Sequence, residues 1–108
     1  MLTGDIILIP FPFAESHNVK VRPAVIIGFT HDKYKDIILS AISSIVPFQL
    51  KDTEIIIKAG AINNLRADSI LKVDRIVTLK KENIIAEIGK LNKLELTQFK
   101  EIFKSLID

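Results

Sequence analysis

Three places in this sequence carry residue types that could do chemistry, and the first is Arg22. It stands directly before Pro23 and the apolar run AVIIGF. A guanidinium keeps its charge at any physiological pH and donates in a fork that fits a phosphate. The following proline restricts the backbone of Arg22 to extended conformations, which fixes the direction in which the side chain leaves. A plain surface role at a strand end is open as well.

The other two places are a pair of serines and a polar loop. Ser43 ends the run DIILSAIS and Ser44 follows it, so their hydroxyls could bind a phosphate oxygen or a 2′-hydroxyl. No G-x-S-x-G sequence surrounds them, which argues against a hydrolase-type nucleophile. The loop holds Glu15 and His17, a carboxylate and an imidazole that could serve as general base or acid.

Composition removes several other kinds of site. The 108 residues contain no cysteine and only two histidines, which leaves neither a disulfide nor a convincing metal cluster. The start of the chain carries Asp5 and no basic segment, and no apolar run could cross a bilayer, so we expect neither a signal peptide nor a membrane anchor. The net charge of +2 is compatible with an anionic partner without indicating one. We expect a soluble, cytoplasmic protein with one domain over residues 1–108.

The elements that must position these residues are mostly short strands, because β-branched runs alternate with turn residues. Strands are predicted over residues 5–10, 22–29, 36–43, 53–58, 69–79 and 84–88. Pro10 and Pro12 are expected to end the first strand, and Pro23 to lie at a strand start or edge. Residues 69–79 are expected to form one long bent strand or two short ones hinged near Asp74. The segments 13–21 and 47–52 are predicted loops, and 59–66 is predicted to be irregular or a single helical turn.

The end of the chain changes to a helical period. From Leu94 onward the apolar residues follow the spacing of one helix face, and Asn92 with Glu95 forms a capping-box sequence. These elements predict a mainly β protein of the α+β class, a small antiparallel β-barrel with a C-terminal α-helix packed on it. The apolar segment 45–48 exceeds what so small a barrel is expected to bury, which favours a homodimer.

The segments GDIILIPFPF, KVRPAVII, IILSAISS, LRADSILKVDRIVTL and IGKL, in this order before a terminal helix, resemble the MazF/PemK toxin family over about residues 3–107. The resemblance implies an SH3-like β-barrel that forms a homodimer and is the toxin of a type II toxin–antitoxin system. It also implies a metal-independent endoribonuclease that cleaves single-stranded RNA and needs no cofactor. The implied partners are the RNA substrate and a cognate antitoxin, through whose complex DNA would be bound.

The resemblance further implies roles for particular residues. The family's catalytic arginine precedes the proline and corresponds to Arg22, and its catalytic threonine or serine corresponds to Ser43. The general base is left open between Glu15, His17 and neither, because several members carry a glutamate where His17 stands. Further RNA contacts are predicted from three residues of the neighbouring segments, Lys20, Ser44 and Gln49.

Two other functions stay open at this point. A CcdB-like toxin would have the same barrel and would poison DNA gyrase by binding it, and a non-catalytic module would only hold RNA or a protein. The pairing of Arg22 with Ser43 favours the nuclease, because a gyrase-binding protein has no need of a phosphate-binding arginine. Lys72, Arg75 and the pair Lys80–Lys81 are interpreted as a solvated strand edge.

Overall fold

The computed structural model describes residues 1–12 and 19–108, apart from the side chains of Pro12 and Val19. This part of the chain forms six strands, one short 3₁₀ turn at Lys81–Asn83 and one α-helix. The strands are β1 (Asp5–Pro12), β2 (Val19–Phe29), β3 (Ile37–Ser43), β4 (Glu54–Ile57), β5 (Ser69–Leu79) and β6 (Ala86–Lys90), and the helix is α1 (Lys93–Ser105).

All six strands belong to one sheet with the order β4-β5-β3-β2-β1-β6, in which every neighbouring pair is antiparallel. The sheet curls into a half-barrel, and α1 packs on one of its faces. The predicted mainly β fold with a C-terminal helix is confirmed. No helix in the described residues is long and apolar enough to cross a membrane.

The central strands are buried on both faces, which explains why they read as continuous apolar runs. On one face, Ile6 of β1 and Val25 of β2 pack with Phe99 of α1 in a helix-side cluster. On the other face, Ile7 and Ile9 alternate with them and form a second cluster with four residues of β2 and β3, namely Ala24, Ile26, Ile37 and Leu39. Because side chains alternate along a strand, each of these strands contributes to both clusters.

Pro10 does not end β1 as expected, because the strand runs on to Pro12. β1 pairs with β2 as far as Pro12, and β2 begins at Val19, so residues 19–21 belong to a strand and not to a loop. The carbonyl of Leu8 accepts a bond from Ile85, which directs the polar groups of Leu8 and of every second residue after it away from β2. The nitrogen of Pro10 therefore points away from β2, so its missing N–H removes no bond from the β1–β2 ladder. It points towards the side of β6, which pairs with β1 only as far as Leu8.

The start of α1 is fixed as the sequence predicts. The side chain of Asn92 accepts a bond from the backbone N–H of Glu95 at 2.8 Å, and the Glu95 carboxylate accepts one from the backbone of Asn92 at 2.9 Å. This capping box satisfies two N–H groups that a helix start otherwise leaves without a partner. Phe99, 1% exposed, anchors the helix on the sheet.

The connection between β4 and β5 is tied together and packed on β6. It contains a single helical turn, one of the two predicted alternatives, in which the N–H of Asn64 donates to the carbonyl of Gly60 at 2.8 Å. The buried side chain of Asn63 accepts from Gly60 and Leu65 and donates to the Lys58 carbonyl. β6 runs over residues 86–90, two residues later than predicted, so that Gly89 lies directly against this turn.

We expect Gly89→Ala to lower the free energy of unfolding by about 1–3 kcal/mol, because overpacking forces the backbone apart. A β-carbon at Gly89 would lie 2.7 Å from the Asn63 Cα, and backbone cannot move aside as a side-chain end can. Urea unfolding of the variant tests this. Gly28→Ala is the matched control, because nothing lies within 4 Å of its added methyl group. Equal stability of the two variants would contradict the close packing of Gly89.

Candidate functional site

Arg22 and Ser43 line the same cavity, near the start of β2 and at the end of β3. The cavity has a volume of about 160 Å³ and combines basic, hydroxyl and apolar groups. Its lining residues are Phe11, Arg22, Ala41, Ile42, Ser43, Ile45, Lys72 and Arg75, and we call it the first cavity. Such a volume suits one phosphate group better than a whole nucleotide, because ligand pockets usually measure about 300–1,000 Å³.

Strand register explains why Arg22 and Ser43 meet. Ala24 pairs with Ala41 in the antiparallel ladder of β2 and β3. Continuing that register towards the strand ends sets Arg22 opposite Ser43, on the same face of the sheet. Side chains at such opposite positions have Cβ atoms about 4.5–5.5 Å apart in a regular ladder. Two residues far apart in the sequence are thus neighbours for a purely geometric reason.

Pro23 ends the β2–β3 ladder next to Arg22. It pairs with Leu8, whose polar groups point towards β6, so the polar groups of Pro23 point towards β3. A proline has no N–H to donate there, and the last recorded β2–β3 pair is Ala24 with Ala41. The ladder therefore stops two positions before Arg22 and Ser43, where the first cavity opens.

A bulge in β5 brings two further cations into the first cavity. Ser40 pairs with Ile76 but its neighbour Ala41 pairs with Lys72, so residues 73–75 have no partner on β3. In a regular strand Lys72 and Arg75, three positions apart, would point to opposite faces. The extra residues reverse the alternation, and both side chains line the first cavity.

A buried hydroxyl donates a hydrogen bond to a backbone carbonyl within the bulge of β5. The Oγ of Ser40, fully buried, donates to the carbonyl of Val73 at 2.8 Å, and the N–H of Val73 donates to the carbonyl of Thr53 at 3.0 Å. Val73 itself packs in the helix-side cluster. The irregular backbone is therefore hydrogen-bonded on both sides, as buried polar groups require.

The first cavity is strongly electropositive. Arg22 and Lys72 are half-buried and Arg75 is exposed, and no carboxylate occurs among the lining residues in the described part of the chain. The Ser43 Oγ accepts a bond from the N–H of Ile45 at 3.2 Å, which uses a lone pair and not the hydroxyl proton. Cations and a hydroxyl donor around a space of this size can bind an oxyanion.

A second cavity of about 660 Å³ adjoins the first, and Arg22 lines both. Its apolar lining includes Leu8, Val21, Pro23, Leu65 and Ile88. Its polar lining, besides Arg22, consists of Ser44, Asn64, Arg66 and Ser69. Ser43, the last residue of β3, and Ser44, which follows it, line different cavities.

The predicted site residues are thus distributed over several places. Arg22 and Ser43 come together as expected, whereas Ser44 lies in the second cavity. Lys20, which pairs with Phe11, and Gln49, in the loop after β3, are exposed and line neither cavity, so their RNA contacts stay predictions. Glu15 and His17 lie outside the described residues. Among the described residues, no group of three or more His, Cys, Asp or Glu side chains could hold a metal ion.

Lys72 and Arg75 were missed by the sequence interpretation. Lys72 does not lie on a strand edge, because it pairs with Ala41 of β3 on one side and Glu54 of β4 on the other. The bend predicted near Asp74 was the signal that could have found them, because a bend within a long strand often marks a bulge. The size of the bulge, which decides the face, cannot be read from the sequence.

Comparison with known proteins gives one family and a consistent fold. The family described as "PemK-like, MazF-like toxin of type II toxin-antitoxin system" matches residues 2–107. The Mycobacterium tuberculosis toxin MazF-mt6 is 19% identical, with a TM-score of 0.72 and 96% of each chain covered. A mycobacterial endoribonuclease in complex with its cognate antitoxin is 13% identical, with a TM-score of 0.71, covering 99% of this chain and 94% of that one. These two structures establish the fold, and no curated protein matches the sequence.

We expect Ser40→Ala to lower the free energy of unfolding by about 1–3 kcal/mol, because the buried Val73 carbonyl loses its donor. The matched control is Ser105→Ala, which removes an exposed hydroxyl bonded to the Ile102 carbonyl and should stay within about 0.5 kcal/mol of the parent. Urea unfolding curves measure both. An unchanged stability of Ser40→Ala would show that the bulge does not depend on this hydroxyl.

Proposed function

We propose that this chain, which belongs to the PemK-like, MazF-like toxin family of type II toxin–antitoxin systems, is an endoribonuclease that cleaves single-stranded RNA. One observation carries the proposal, namely the convergence of Arg22, Lys72 and Arg75 with the hydroxyl of Ser43 around a phosphate-sized cavity. Family membership supports the toxin role. The nuclease activity is argued from the chemistry of the first cavity.

The reaction that fits the first cavity is attack by the 2′-hydroxyl on the adjacent phosphate. A base takes the 2′-hydroxyl proton as the 2′-oxygen bonds to phosphorus. The bond from phosphorus to the 5′-oxygen then breaks, and that oxygen receives a proton from an acid. The products are a 2′,3′-cyclic phosphate and a free 5′-hydroxyl, and no water or electron is consumed. A single-stranded substrate suits this route, because its backbone can rotate until the three reacting atoms lie in line.

The cations would act where charge develops. The pentacoordinate phosphorane carries more negative charge on its oxygens than the phosphodiester does, so fixed positive groups bind it more tightly than the ground state. Arg22 is the best placed, because Pro23 and the adjoining buried strand hold its backbone. Lys72 and Arg75 would add to the same field from β5, and a half-buried cation acts more strongly than one in bulk water.

Ser43 would position the phosphate. Its Oγ already accepts the Ile45 N–H, which fixes the turn after β3 and leaves the hydroxyl proton to donate to a phosphate oxygen. The proton acceptor for the 2′-hydroxyl is proposed to come from the segment between β1 and β2, where Glu15 and His17 stand in the sequence. Either side chain has the chemistry for it, since a carboxylate and an imidazole both accept protons near neutral pH.

The partners follow from the same assignment. We propose a cognate antitoxin that blocks the first cavity, and a toxin–antitoxin complex that binds DNA, both in the cytoplasm. A homodimer is supported by the exposed apolar side chains after β3, where Ile45 is 75% exposed and Phe48 is fully exposed. Apolar side chains grouped in this way usually mark an interface.

We expect Arg22→Ala to reduce the single-turnover rate of RNA cleavage by about 10²–10³, the usual cost of losing one oxyanion donor. The purified protein is incubated with single-stranded RNA in the presence of EDTA, and the products are analysed for 2′,3′-cyclic phosphate ends. Lys100→Ala is the control, because Lys100 is an exposed cation on α1 that lines neither cavity. It should cleave at the parent rate.

Two results would overturn the proposed function. One is the failure of the parent protein to cut any RNA while it inhibits DNA gyrase, which would favour the CcdB-like alternative. The other is full cleavage by the folded Arg22→Ala variant, which would remove the first cavity from the reaction. Urea unfolding of the variant separates this second result from a loss of structure.

A further inference from the structure

We propose that the second cavity is a nucleotide subsite, which binds the nucleotide next to the scissile phosphate, and that Arg66 contacts the adjoining phosphate. The inference rests on the proposed function, since Arg22 is taken to hold the scissile phosphate. The RNA strand would then cross the end of the sheet, with Arg22 between the phosphate-sized first cavity on one face and the larger second cavity on the other.

Volume separates the roles of the two cavities. The first, at about 160 Å³, lies below the range of about 300–1,000 Å³ that is usual for ligand pockets, whereas the second, at about 660 Å³, lies within it. A sugar and base therefore fit the second cavity and not the first. Its lining of six apolar side chains, counting Ala67, with a few polar groups is also the usual composition of a site for an organic ligand.

Charge identifies the ligand as anionic. Arg22 and Arg66 line the second cavity, and its described lining contains no Asp or Glu. Two further cavities, by contrast, each include carboxylates, with Glu54 and Glu101 in one and Glu95 in the other. The two cavities that share Arg22 differ from these in having arginines and no described carboxylate, and a chain with a phosphate at every step would contact both arginines.

The loop that carries Arg66 is held in place for such a contact. The Asp68 carboxylate accepts the N–H of Ala59 at 2.9 Å, which joins the two ends of the loop. The N–H of Lys90 on β6 donates to the carbonyl of Ile62 at 3.1 Å, and the Asn64 side chain donates to the carbonyl of Ile88. Arg66 therefore projects from a loop whose ends and middle are both fixed, and little ordering of the backbone is needed on binding.

Salt dependence of RNA binding tests the proposal directly. The probe is a short fluorescein-labelled 2′-O-methyl RNA of random sequence, which lacks the attacking hydroxyl and cannot be cleaved, and anisotropy gives the dissociation constant. We expect Arg66→Ala to weaken binding about fivefold near 0.1 M salt. The slope of log affinity against log salt should become shallower by about 0.7, the contribution of one phosphate contact on a single strand.

Three matched measurements separate a specific contact from general charge loss. Arg66→Lys should restore the slope, because lysine also neutralises a phosphate, and Lys100→Ala should bind like the parent. With cleavable RNA, Arg66→Ala should raise KM and leave kcat nearly unchanged, as expected for a contact made equally before and during the reaction. Urea unfolding confirms that each variant is folded.

Several outcomes would overturn the inference. An unchanged affinity and slope in Arg66→Ala, or an equal change in Lys100→Ala, would exclude a phosphate contact at Arg66. If Arg66→Ala lost binding to a poly-glutamate peptide while its RNA binding stayed intact, the second cavity would be assigned to an acidic protein segment. A failure of the proposed function would give a different result. If the uncleavable RNA binds through Arg66 but the parent cuts no RNA, the RNA contact at Arg66 is supported and the nuclease activity is rejected.

Discussion

The hydrogen bond from the buried Ser40 hydroxyl to the Val73 carbonyl is the interaction on which the arrangement of the site depends. It stabilises a stretch of β5 that cannot pair with β3, because residues 73–75 have no partners there. In a regular strand, Lys72 and Arg75 would lie on opposite faces of the sheet, because they are three positions apart. The same stretch lets Val73 pack in the helix-side cluster, so the bulge joins the hydrophobic core to the charge of the first cavity.

The second constraint is the missing N–H of Pro23. Between β2 and β3 the pairing stops at Ala24, which leaves Arg22 and Ser43 facing each other beyond the last pair. The opening is small on one face and large on the other, and Arg22 lines both cavities. A feature that interrupts the sheet locally therefore creates the opening at which we propose that RNA binds.

Much of this architecture could be predicted because its signals are local. The capping box at Asn92, the single helical turn before Asn64 and the bend near Asp74 follow from residues close together in the chain. The end of β1 was misjudged because a proline breaks a ladder only if its nitrogen faces a partner strand. Which way the nitrogen of Pro10 faces depends on where β6 ends, and that is a long-range property.

By itself, the sequence determined the family of the protein and predicted two site residues, which the structure places in one cavity. An arginine before a proline and a serine at a strand end, within blocks typical of one toxin family, were enough to name Arg22 and Ser43. Only the tertiary structure decided that Lys72 and Arg75 join them, and that Ser44 and Arg66 belong to a second cavity. The physical reason is that side chains alternate between the two faces of a strand. One added residue moves every later side chain to the opposite face, and the number of residues in a bulge is set by packing between strands.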